Sequence, residues 1–518
     1  MALSSGCMAW IAWPGSPYNF LIFFAWIPLI MVAEDVKKQS HFLGLCYLAM
    51  LSWNLGTTWW IWNATAPGAV AAWLANSLLQ CLPWLAFRYF RNKLSRLAGY
   101  LLLIAAWMSF EWFHLQDWGL SWPWLTLGNV FAMRPEWIQW YQYTGVAGGT
   151  LWVLLVNILL YHHWKVNTQQ CGRKNYSWLI GGTLVVILPV AFSVASYSTQ
   201  KTFEEGPQKE IVVVQPNIDP YEKVTATSAN QQVEKLLQLT RAASNTETAL
   251  VIWRETALYS PYGFDEEKLE QYSVLQPVYN WLNTYQQSSL FTGIESFRWM
   301  NSPTKYSSTT VEGKMFYEAY NGAVLLDQHR TAGYYHKSML VPGVETLPWF
   351  LRFMDSWFSK FGGVTAGYAK QEKRALLKEK NGFQIAPAIC YESIYGDFMR
   401  RTVKQGANLI AIITNDGWWK KTPGHIQHLH YARLRALETK CWVARSANTG
   451  ISAIIDPTGK IIDSRGYDSS ATLRYSIPLT TPAPTLYVRY GDWLYQTMAL
   501  LTILLAGLAW LSLGRQRS

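Results

Sequence analysis

Three side chains that together can perform nucleophilic catalysis stand at the ends of apolar, strand-like runs. Cys390 ends the run IAPAIC, Glu255 follows LVIWR, and Lys337 lies in YYHKSMLVP. A cysteine thiol has a pKa of about 8.5, so it needs a nearby cation to become a thiolate and a base to take its proton. Lys337 and Glu255 have the chemistry for these tasks, and a lysine can also face a developing oxyanion.

Each of these residues also has an ordinary structural interpretation. A single cysteine in a strand is more often a small buried hydrophobic residue, and a charge at a strand end is as often simply solvated. A Cys390–Cys441 disulfide is a further alternative, and it would exclude a catalytic thiol. The catalytic interpretation is favoured because the ends of several strands converge on one edge in layered α/β proteins. Spacing alone does not establish the triad.

The polar region between about 210 and 485 has the pattern needed to bring such strand ends together. Apolar runs alternate there with amphipathic segments, which predicts an α/β layered sandwich with strands buried on both faces. The predicted helices are 228–243, 265–287 and 426–439. The predicted strands are 210–218, 249–258, 288–297, 319–327, 331–340, 383–392, 408–416, 441–450 and 451–459.

Long apolar segments occupy both ends of the 518-residue chain, which contains 29 Trp. A helix needs roughly 20 apolar residues to cross a membrane, so these segments predict about eight transmembrane helices. The first of them is short. The predicted spans are 2–13, 18–33, 42–62, 68–87, 97–116, 143–161, 178–197 and 491–512.

The distribution of Lys and Arg predicts the orientation of these spans, because short cytoplasmic loops are enriched in both residues. Every second loop is basic, which places the polar region outside the cytoplasm and the C-terminus inside. Topology also explains much of the formal net charge of +11, so a nucleic acid partner is not expected. The basic residues are Lys37, Lys38, Arg88, Arg91, Lys93, Arg96, Lys165, Arg173, Lys174, Arg515 and Arg517.

The three strand-end motifs resemble those of the nitrilase superfamily, whose signature is a Glu, a Lys and a Cys from separate strands. The motifs here are WRET, HKSMLVPGVE and ICYES. Downstream, TNDGWW (414–419), QHLHYARLRALE (427–438) and ARSANTGISAIIDPTG (444–459) resemble blocks of the apolipoprotein N-acyltransferases, a family within that superfamily. EWFH and LSWPWLTLGN, within 111–129, resemble the membrane half of the same family. The resemblance therefore covers nearly the whole chain.

The resemblance implies a polytopic α-helical membrane bundle plus an α/β nitrilase-type four-layer (α-β-β-α) sandwich. Residues 1–200 would form the bundle, 201–488 the extracytoplasmic catalytic domain, and 489–518 the last transmembrane helix with a short cytoplasmic tail. In the implied site, Cys390 is the nucleophile, Glu255 the general base and Lys337 the oxyanion stabiliser. The supporting positions that match the family are Glu345, Tyr391 and Glu392.

The reaction implied by the resemblance is N-acylation of lipoproteins. An acyl chain would pass from a phospholipid to Cys390 as a thioester, and then to the N-terminal amine of the diacylglyceryl-cysteine of an apolipoprotein. No cofactor, metal or nucleic acid is implied. The expected protein is a monomer in a bacterial inner membrane, with its catalytic domain in the periplasm.

Some residues depart from the family pattern or fall outside its motifs. Arg254 stands where the family usually has a small residue or Pro, which we expect to affect substrate handling more than the triad. Segment 348–361 has aromatic residues at helical spacing, which fits either a membrane-facing lid or a helix packed on the sandwich. Glu111, near the outer end of a span, is expected to be a hydrogen-bonding anchor. His425, His428 and His430 lack the companions of a metal site and are predicted to lie on a helix surface.

Two other classes of protein compete with the acyltransferase. A membrane-anchored nitrilase-type amidase or hydrolase would use the same triad and release the acyl group to water, but eight spans are excessive for an anchor. A transporter or scaffold with a sensory domain is the second alternative. Transporters are expected to have broken helices and charges at mid-membrane depth, and the predicted spans contain few such charges.

Overall fold

The computed structural model describes residues 1–169, 176–199, 206–221, 228–306, 308, 309, 313, 315–346, 367–372 and 374–517. The chain divides into two compact units. The first, here the helical unit, comprises Met1–Trp62, Ala66–Thr199 and Tyr490–Ser518, and the second, the catalytic unit, comprises Asn63–Thr65 and Gln200–Arg489. The amphipathic segment predicted at 348–361 lies outside the described residues.

The helical unit contains a helix at each position where a span is predicted. The helices are α1 Ala2–Ile11, α2 Ile22–Ala25, α3 Ile27–Asp35, α4 Gln39–Thr58, α5 Ala66–Phe90, α6 Arg96–His114, α7 Tyr141–Thr144, α8 Val146–Gln169, α9 Ser177–Thr199 and, at the C-terminal end, α15 Trp493–Arg517.

Within the described residues, five helices are long and apolar enough to cross a membrane: α5, α6, α8, α9 and α15. Helix α1 has only 10 residues, about 15 Å of length against a hydrocarbon core of about 30 Å. The segment predicted as one span at 18–33 is divided between α2 and α3, with Pro28 in the first turn of α3. Eight separate crossings therefore remain a prediction.

Buried tryptophans form the core of the helical unit. The ring of Trp26 lies 5.3 Å from that of Trp53, 6.0 Å from that of Trp84 and 5.7 Å from that of Trp107, measured between centroids. Each of these side chains is at most 1% exposed. Aromatic pairs at such distances add to the free energy gained by burying apolar area. The tryptophans of these spans thus hold the helices to one another.

Glu111 is a hydrogen-bonded anchor within the helical unit, as the sequence predicts. Its carboxylate accepts from Trp107 Nε1 at 2.9 Å, Leu127 N at 2.8 Å, Thr150 Oγ1 at 2.7 Å and the Tyr495 hydroxyl at 2.8 Å. These donors come from α6, α8, α15 and the 127–131 turn. A buried carboxylate with four donors is satisfied as an acceptor and ties these segments together.

The catalytic unit is built on two sheets. The strands of the first are β1 Gln208–Gln215, β2 Thr248–Ile252, β3 Phe264–Asp265, β4 Ser289–Met300, β5 Ser308–Thr309, β6 Phe316–Asp327, β7 Arg330–His336 and β14 Ala471–Pro478. Their order is β14-β1-β2-β4-β6-β5, with β3 beside β4 and β7 beside β6. Strands β1, β2 and β4 run parallel.

The second sheet has the order β13-β12-β11-β10-β9-β8. Its strands are β8 Leu377–Lys378, β9 Gln384–Ile389, β10 Leu409–Thr414, β11 Trp442–Ala447, β12 Ser452–Ile455 and β13 Ile461–Arg465. Strands β9, β10 and β11 are parallel, so their carboxyl ends lie at one edge. The two sheets face each other, and Ser446 Oγ in β11 donates to the carbonyl of Val214 in β1 at 2.8 Å.

Helices cover the outer faces of both sheets and complete a helix–sheet–sheet–helix sandwich. Helices α10 Ala229–Ala243 and α11 Gln276–Thr284 bury their apolar residues against the first sheet. Helices α12 Gly396–Val403 and α13 Pro423–Thr439 pack on the second sheet, and α14 Leu486–Tyr490 ends the unit. Helix α10 begins at a capping box in which the Ser228 and Gln231 side chains satisfy each other's backbone N–H groups. The predicted four-layer fold is correct.

All nine predicted strands are confirmed, but the helix predicted at 265–287 is wrong in its first half. That half forms two 3-10 turns, Glu266–Gln271 and Ser273–Leu275, before α11 begins. Lys268 has a non-helical φ of −123° within the first turn. Pro277 lies in the first turn of α11, where a missing N–H costs no hydrogen bond. A single helical periodicity therefore spans three separate elements.

Candidate active site

Cys390 lies immediately after β9, at the start of a 3-10 turn that runs from Cys390 to Ile394. Its φ of 51° is in the left-handed region, which is unfavourable for a residue with a Cβ. The residue is partly exposed and its sulfur is free, as is that of the buried Cys441. The disulfide alternative is therefore wrong. A free thiol on a strained turn at the end of a strand has the geometry of a nucleophile.

The surroundings of Cys390 favour the protonated thiol over the thiolate. Burial and the carboxylate of Glu255 raise the pKa of this thiol above its ordinary value, although Lys337 acts in the opposite direction. Both side chains are close enough to Cys390 to change its pKa. A thiol of this kind becomes reactive only when a base removes its proton during the attack.

Lys337, one residue beyond β7, lies between two carboxylates. Its Nζ donates to Glu345 Oε1 at 2.7 Å and to Glu255 Oε1 at 3.4 Å, and its side chain is 1% exposed. Burial alone would lower the pKa of Lys337, but Glu345 and Glu255 more than offset this and raise it. Lys337 is therefore a permanent cation beside the thiol.

Glu255 is held in place by its own loop after β2. The buried Arg254 donates from Nη1 to the backbone carbonyls of Glu255 at 2.8 Å and Thr256 at 3.1 Å, and from Nη2 to Gln232 Oε1 at 3.0 Å. A side chain at Gly293 in β4 would approach Thr256 N to 2.4 Å, so only glycine lets this loop lie so close. Arg254, the departure from the family pattern, thus holds the backbone of the loop that carries Glu255.

Asn321 joins the two carboxylates and was missed by sequence reasoning. Its Nδ2 donates to Glu255 Oε1 and to Glu345 Oε1, both at 2.9 Å, and its backbone carbonyl accepts from the backbone N–H of Lys337 at 2.9 Å. Asn321 lies inside the confirmed strand β6. A polar residue within an apolar strand was the sequence signal that could have identified it as part of the site. The Asn321 side-chain amide thus joins the base to the second Glu, and the Asn321 backbone fixes the start of the loop that carries Lys337.

Glu392 connects the loop that carries Lys337 with the turn that carries Cys390. It accepts from Ser338 N at 2.6 Å, Met339 N at 3.1 Å, Ile389 N at 2.8 Å and the Tyr335 hydroxyl at 2.8 Å. Burial raises the pKa of Glu392 to about 7, despite these donors. The carboxylate therefore bridges the two sheets at the site.

The remaining predicted residues also lie at the site. Glu345 accepts from Val341 N at 2.8 Å in addition to Lys337 and Asn321, which closes the loop after β7. Tyr391 is buried, and its hydroxyl accepts from that of Tyr395 at 3.1 Å. All six residues that the sequence nominates thus fall within one region of the catalytic unit.

The prediction for the three histidines of α13 is wrong at two of them. His425 and His428 are 5% and 1% exposed, so they are buried, and only His430 is partly exposed. The polar residues of α13 suggest a larger exposed face than the helix has. Arg and Glu side chains of this helix are also buried, so polar residues here do not mark its exposed face. In the described residues, three or more His, Cys, Asp or Glu side chains nowhere form a group that could hold a metal ion.

Two family models match this chain. Residues 211–485 match the model described as carbon-nitrogen hydrolase, and residues 5–159 match the model described as apolipoprotein N-acyltransferase N-terminal domain. A carbon-nitrogen hydrolase of Helicobacter pylori G27, of known structure, is 14% identical with a TM-score of 0.40, covering 56% of this chain and 95% of the other. Saccharomyces cerevisiae Nit3 is 15% identical with a TM-score of 0.36, covering 52% and 90%.

Relatives that align over nearly the whole chain are named apolipoprotein N-acyltransferase. The protein of Chlorobaculum tepidum is 26% identical over 95% of this chain and 92% of its own length. Those of Pseudomonas syringae pv. tomato and Azotobacter vinelandii are 27% and 28% identical, over 98% and 99% of this chain and 99% and 98% of their own. With its apolar helices and bacterial relatives, this is a bacterial membrane protein. The chain belongs to the carbon-nitrogen hydrolase family and, within it, to the apolipoprotein N-acyltransferases.

Proposed function

We propose that this protein transfers an acyl chain from a phospholipid to the N-terminal amine of the diacylglyceryl-cysteine of apolipoproteins, through a thioester on Cys390. The observation that carries the proposal is the cluster of Cys390 with Glu255 and Lys337, in a chain whose two halves both match acyltransferase relatives. The mechanism below is the one that these side chains can perform.

In the first half-reaction, Cys390 Sγ attacks the carbonyl carbon of a phospholipid ester. Glu255 takes the thiol proton as the S–C bond forms, so the raised pKa of the thiol does not prevent attack. The negative charge that develops on the carbonyl oxygen is stabilised by the Lys337 ammonium. The C–O bond then breaks, and Glu255 returns the proton to the leaving alkoxide, which departs as lysophospholipid.

In the second half-reaction, the neutral α-amine of the lipoprotein attacks the thioester carbonyl. Glu255 takes a proton from the attacking nitrogen, and Lys337 again faces the oxyanion. The C–S bond breaks, the Cys390 thiolate recovers a proton from Glu255, and the N-acylated lipoprotein leaves. One base thus serves both steps, as ping-pong chemistry through one nucleophile requires.

The proposal includes a periplasmic location for the catalytic unit and a multi-pass arrangement in the inner membrane. The support is the alternation of basic and non-basic loops along the sequence, because Lys and Arg favour the cytoplasmic side. A single chain supplies every group that the mechanism uses, so we propose that the monomer is active.

The decisive experiment is intact-protein mass spectrometry of the purified full-length chain after incubation with phospholipid. We expect a hydroxylamine-labile acyl adduct on the wild type and on Cys441→Ala, a matched control that removes the other free cysteine of the catalytic unit. Cys390→Ala should carry no adduct. Addition of a diacylglyceryl-cysteine peptide should discharge the adduct and acylate the peptide.

Two results would contradict the proposal. An adduct that decays equally fast with and without the peptide indicates a hydrolase, the alternative in which water resolves the thioester. An equal adduct on Cys390→Ala would show that a different residue is acylated. The peptide must also gain one acyl chain for each adduct lost, because the transfer conserves the acyl group.

A further inference from the structure

A fully buried polar cluster lies behind Cys390 and takes no part in the mechanism above. It consists of Thr414 at the end of β10, Asp416 two residues later, His428 in α13 and Arg445 in β11, and we name it the Asp416 cluster. Each of the four residues is at most 1% exposed. Burying an ionisable group costs free energy unless every charge and donor is paired, so such an arrangement requires an explanation.

Asp416 is the centre of the cluster. Its Oδ1 accepts from Thr414 Oγ1 at 2.8 Å and lies 2.9 Å from His428 Nδ1, while its Oδ2 accepts from Arg445 Nη2 at 2.6 Å. Burial alone would raise the pKa of Asp416, but Arg445 and His428 hold it well below the usual range. The carboxylate is therefore ionised and fixes both the imidazole and the hydroxyl.

The other side of the imidazole faces the backbone of the nucleophile. His428 Nε2 lies 3.1 Å from the carbonyl oxygen of Cys390 and 3.0 Å from Ser393 Oγ. Ser393 Oγ donates to the same carbonyl at 2.8 Å, so its proton is already used. A carbonyl oxygen can only accept, so Nε2 must carry a proton and donate it.

Thr414, a second residue of the cluster, lies near the sulfur. Its hydroxyl donates its one proton to Asp416 and is close enough to Cys390 to act on the pKa of the thiol. Asp416 therefore connects to the nucleophile through His428, which contacts the Cys390 carbonyl. This contact helps to hold Cys390 in its unfavourable left-handed backbone conformation.

We propose that His428, oriented by Asp416 and Arg445, is a positioning residue that holds the Cys390 carbonyl and so aims the sulfur at the substrate. The inference rests on the proposed acyl transfer and adds a function for a residue outside the Glu-Lys-Cys set. Without the Nε2–H donor, the Cys390 carbonyl keeps its hydrogen bond from Ser393 Oγ but loses the one that ties it to α13. The peptide unit after Cys390 can then rotate, and the turn can relax toward a more favourable φ. The sulfur would then shift relative to Glu255 and Lys337, the two residues whose charges act on the pKa of its thiol.

Two substitutions separate positioning from simple packing. In His428→Asn, the amide nitrogen can occupy the place of Nδ1 and donate to Asp416, but the shorter side chain does not reach the Cys390 carbonyl. In His428→Gln, the amide nitrogen can occupy the place of Nε2 and donate to that carbonyl. His430→Asn is the matched control, because His430 lies on the same helix and its Nδ1 contacts Arg433 Nη1 at 3.0 Å.

The experiment measures single-turnover thioester formation with phospholipid vesicles, the KM for phospholipid, the melting temperature, and the rate at which iodoacetamide alkylates Cys390 in a Cys441→Ala background. We expect His428→Asn to lower the rates of thioester formation and alkylation by about 100-fold, the loss expected for misplacement of a reacting group by about 1 Å. Its KM and melting temperature should stay near those of the wild type. His428→Gln should recover most of the rate, and His430→Asn should match the wild type.

Two results would overturn the inference. One is a His428→Asn enzyme whose thioester forms at the wild-type rate. The other is a loss of both rate and melting temperature in His428→Asn, with no recovery in His428→Gln. That result would indicate that His428 contributes only packing. Alkylation needs no lipid, so a wild type that is alkylated but never acylated would contradict the proposed acyl transfer, and the alkylation rates would still test His428.

Discussion

Two buried charge clusters flank the same cysteine, and they differ in how completely they are sealed. In the cluster of the first sheet, Glu255 and Glu345 retain 7% and 9% exposure around Lys337. In the Asp416 cluster of the second sheet, Asp416 and Arg445 are 0% exposed. The first cluster also contains two carboxylates for one lysine, whereas the single carboxylate of the second is shared by an arginine and a histidine.

The difference shows how the fold separates chemistry from support. A group that exchanges protons with a substrate must remain accessible and must tolerate a change of charge. A group that only holds another in place is most effective when it is excluded from water and all its hydrogen bonds are formed, because a hydrogen bond in a low-dielectric interior is stronger. Substitutions in the first cluster should therefore act on proton transfer and charge stabilisation. Those in the second should act on the alignment of Cys390 or, where a buried charge loses its partner, on stability.

The largest effect is expected from Lys337→Met. Loss of the buried ammonium removes the oxyanion partner and leaves Glu255 and Glu345 facing each other without a cation. Thioester formation should fall by about 10³-fold or more, since loss of a single oxyanion donor already costs about 10²- to 10³-fold. Single-turnover mass spectrometry measures the rate, and the surface variant Lys404→Met serves as the control. A loss below tenfold would contradict the role of Lys337.

Glu255→Gln should lower the rate by about 10²- to 10⁴-fold, the range for loss of a general base. Raising the pH should partly restore it, because burial, the larger cause of the raised pKa of the Cys390 thiol, persists in the variant and favours the protonated form. As long as the pH is below that pKa, each unit by which the pH is raised should increase the thiolate fraction tenfold. The exposed Glu247→Gln is the control. A rate that does not respond to pH would show that Glu255 does more than remove the thiol proton.

Glu392→Gln should lower the rate by about 10- to 100-fold by misaligning the two halves of the site. The groups that contact the Glu392 carboxylate, namely three backbone N–H groups and the Tyr335 hydroxyl, all donate to it, so an amide NH₂ would oppose one of them. In the wild type, protonation of Glu392 below about pH 7 should lower activity. Its raised folded-state pKa means that the same protonation favours the fold as pH falls from about 7 to 4.5. Activity and melting temperature, measured across this window, should move in opposite directions, and only in the wild type.

Asp416→Asn should affect stability more than chemistry. Removing the charge leaves Arg445 buried without its partner, which costs about 3 to 5 kcal/mol. The folded-state pKa of Asp416 is depressed, so its contribution is complete above the ordinary value of 3.8 and is lost as pH falls below it. Denaturation curves should differ between variant and wild type at pH 7 and converge below pH 3.8. As a control, Asp463→Asn removes the carboxylate of an exposed ion pair with Arg465 and should show neither effect.

The smallest effect on catalysis is expected from Glu111→Gln, a buried carboxylate whose four donors described above belong to the helical unit. The amide nitrogen would face a donor where Glu111 now accepts, which costs about 1 to 3 kcal/mol of stability. We expect a lower melting temperature and an unchanged rate per folded molecule. A loss of rate without a loss of melting temperature would show that Glu111 contributes to catalysis.

Strand positions were predictable because buried strands of this sandwich have continuous apolar runs. The strands that were not predicted are of two kinds. β3, β5 and β8 have two residues each, too few to show a pattern. In β13 and β14 polar and apolar residues mix, because parts of both strands are exposed. The supporting positions Glu345, Tyr391 and Glu392 depended on family resemblance. Nothing in local sequence distinguishes Glu392, which accepts four donors, from a solvated carboxylate.

The sequence by itself determined the order of apolar and polar segments, the residues at strand ends, and therefore the chemistry available at the site. Only the tertiary structure decided that Asn321 bridges two carboxylates and that His428 reaches the Cys390 carbonyl from 38 residues away. Periodicity reports which face of an element is apolar, because burial acts on each residue according to its type. Pairing between polar groups depends on distances across layers, and those distances exist only after the two sheets have packed.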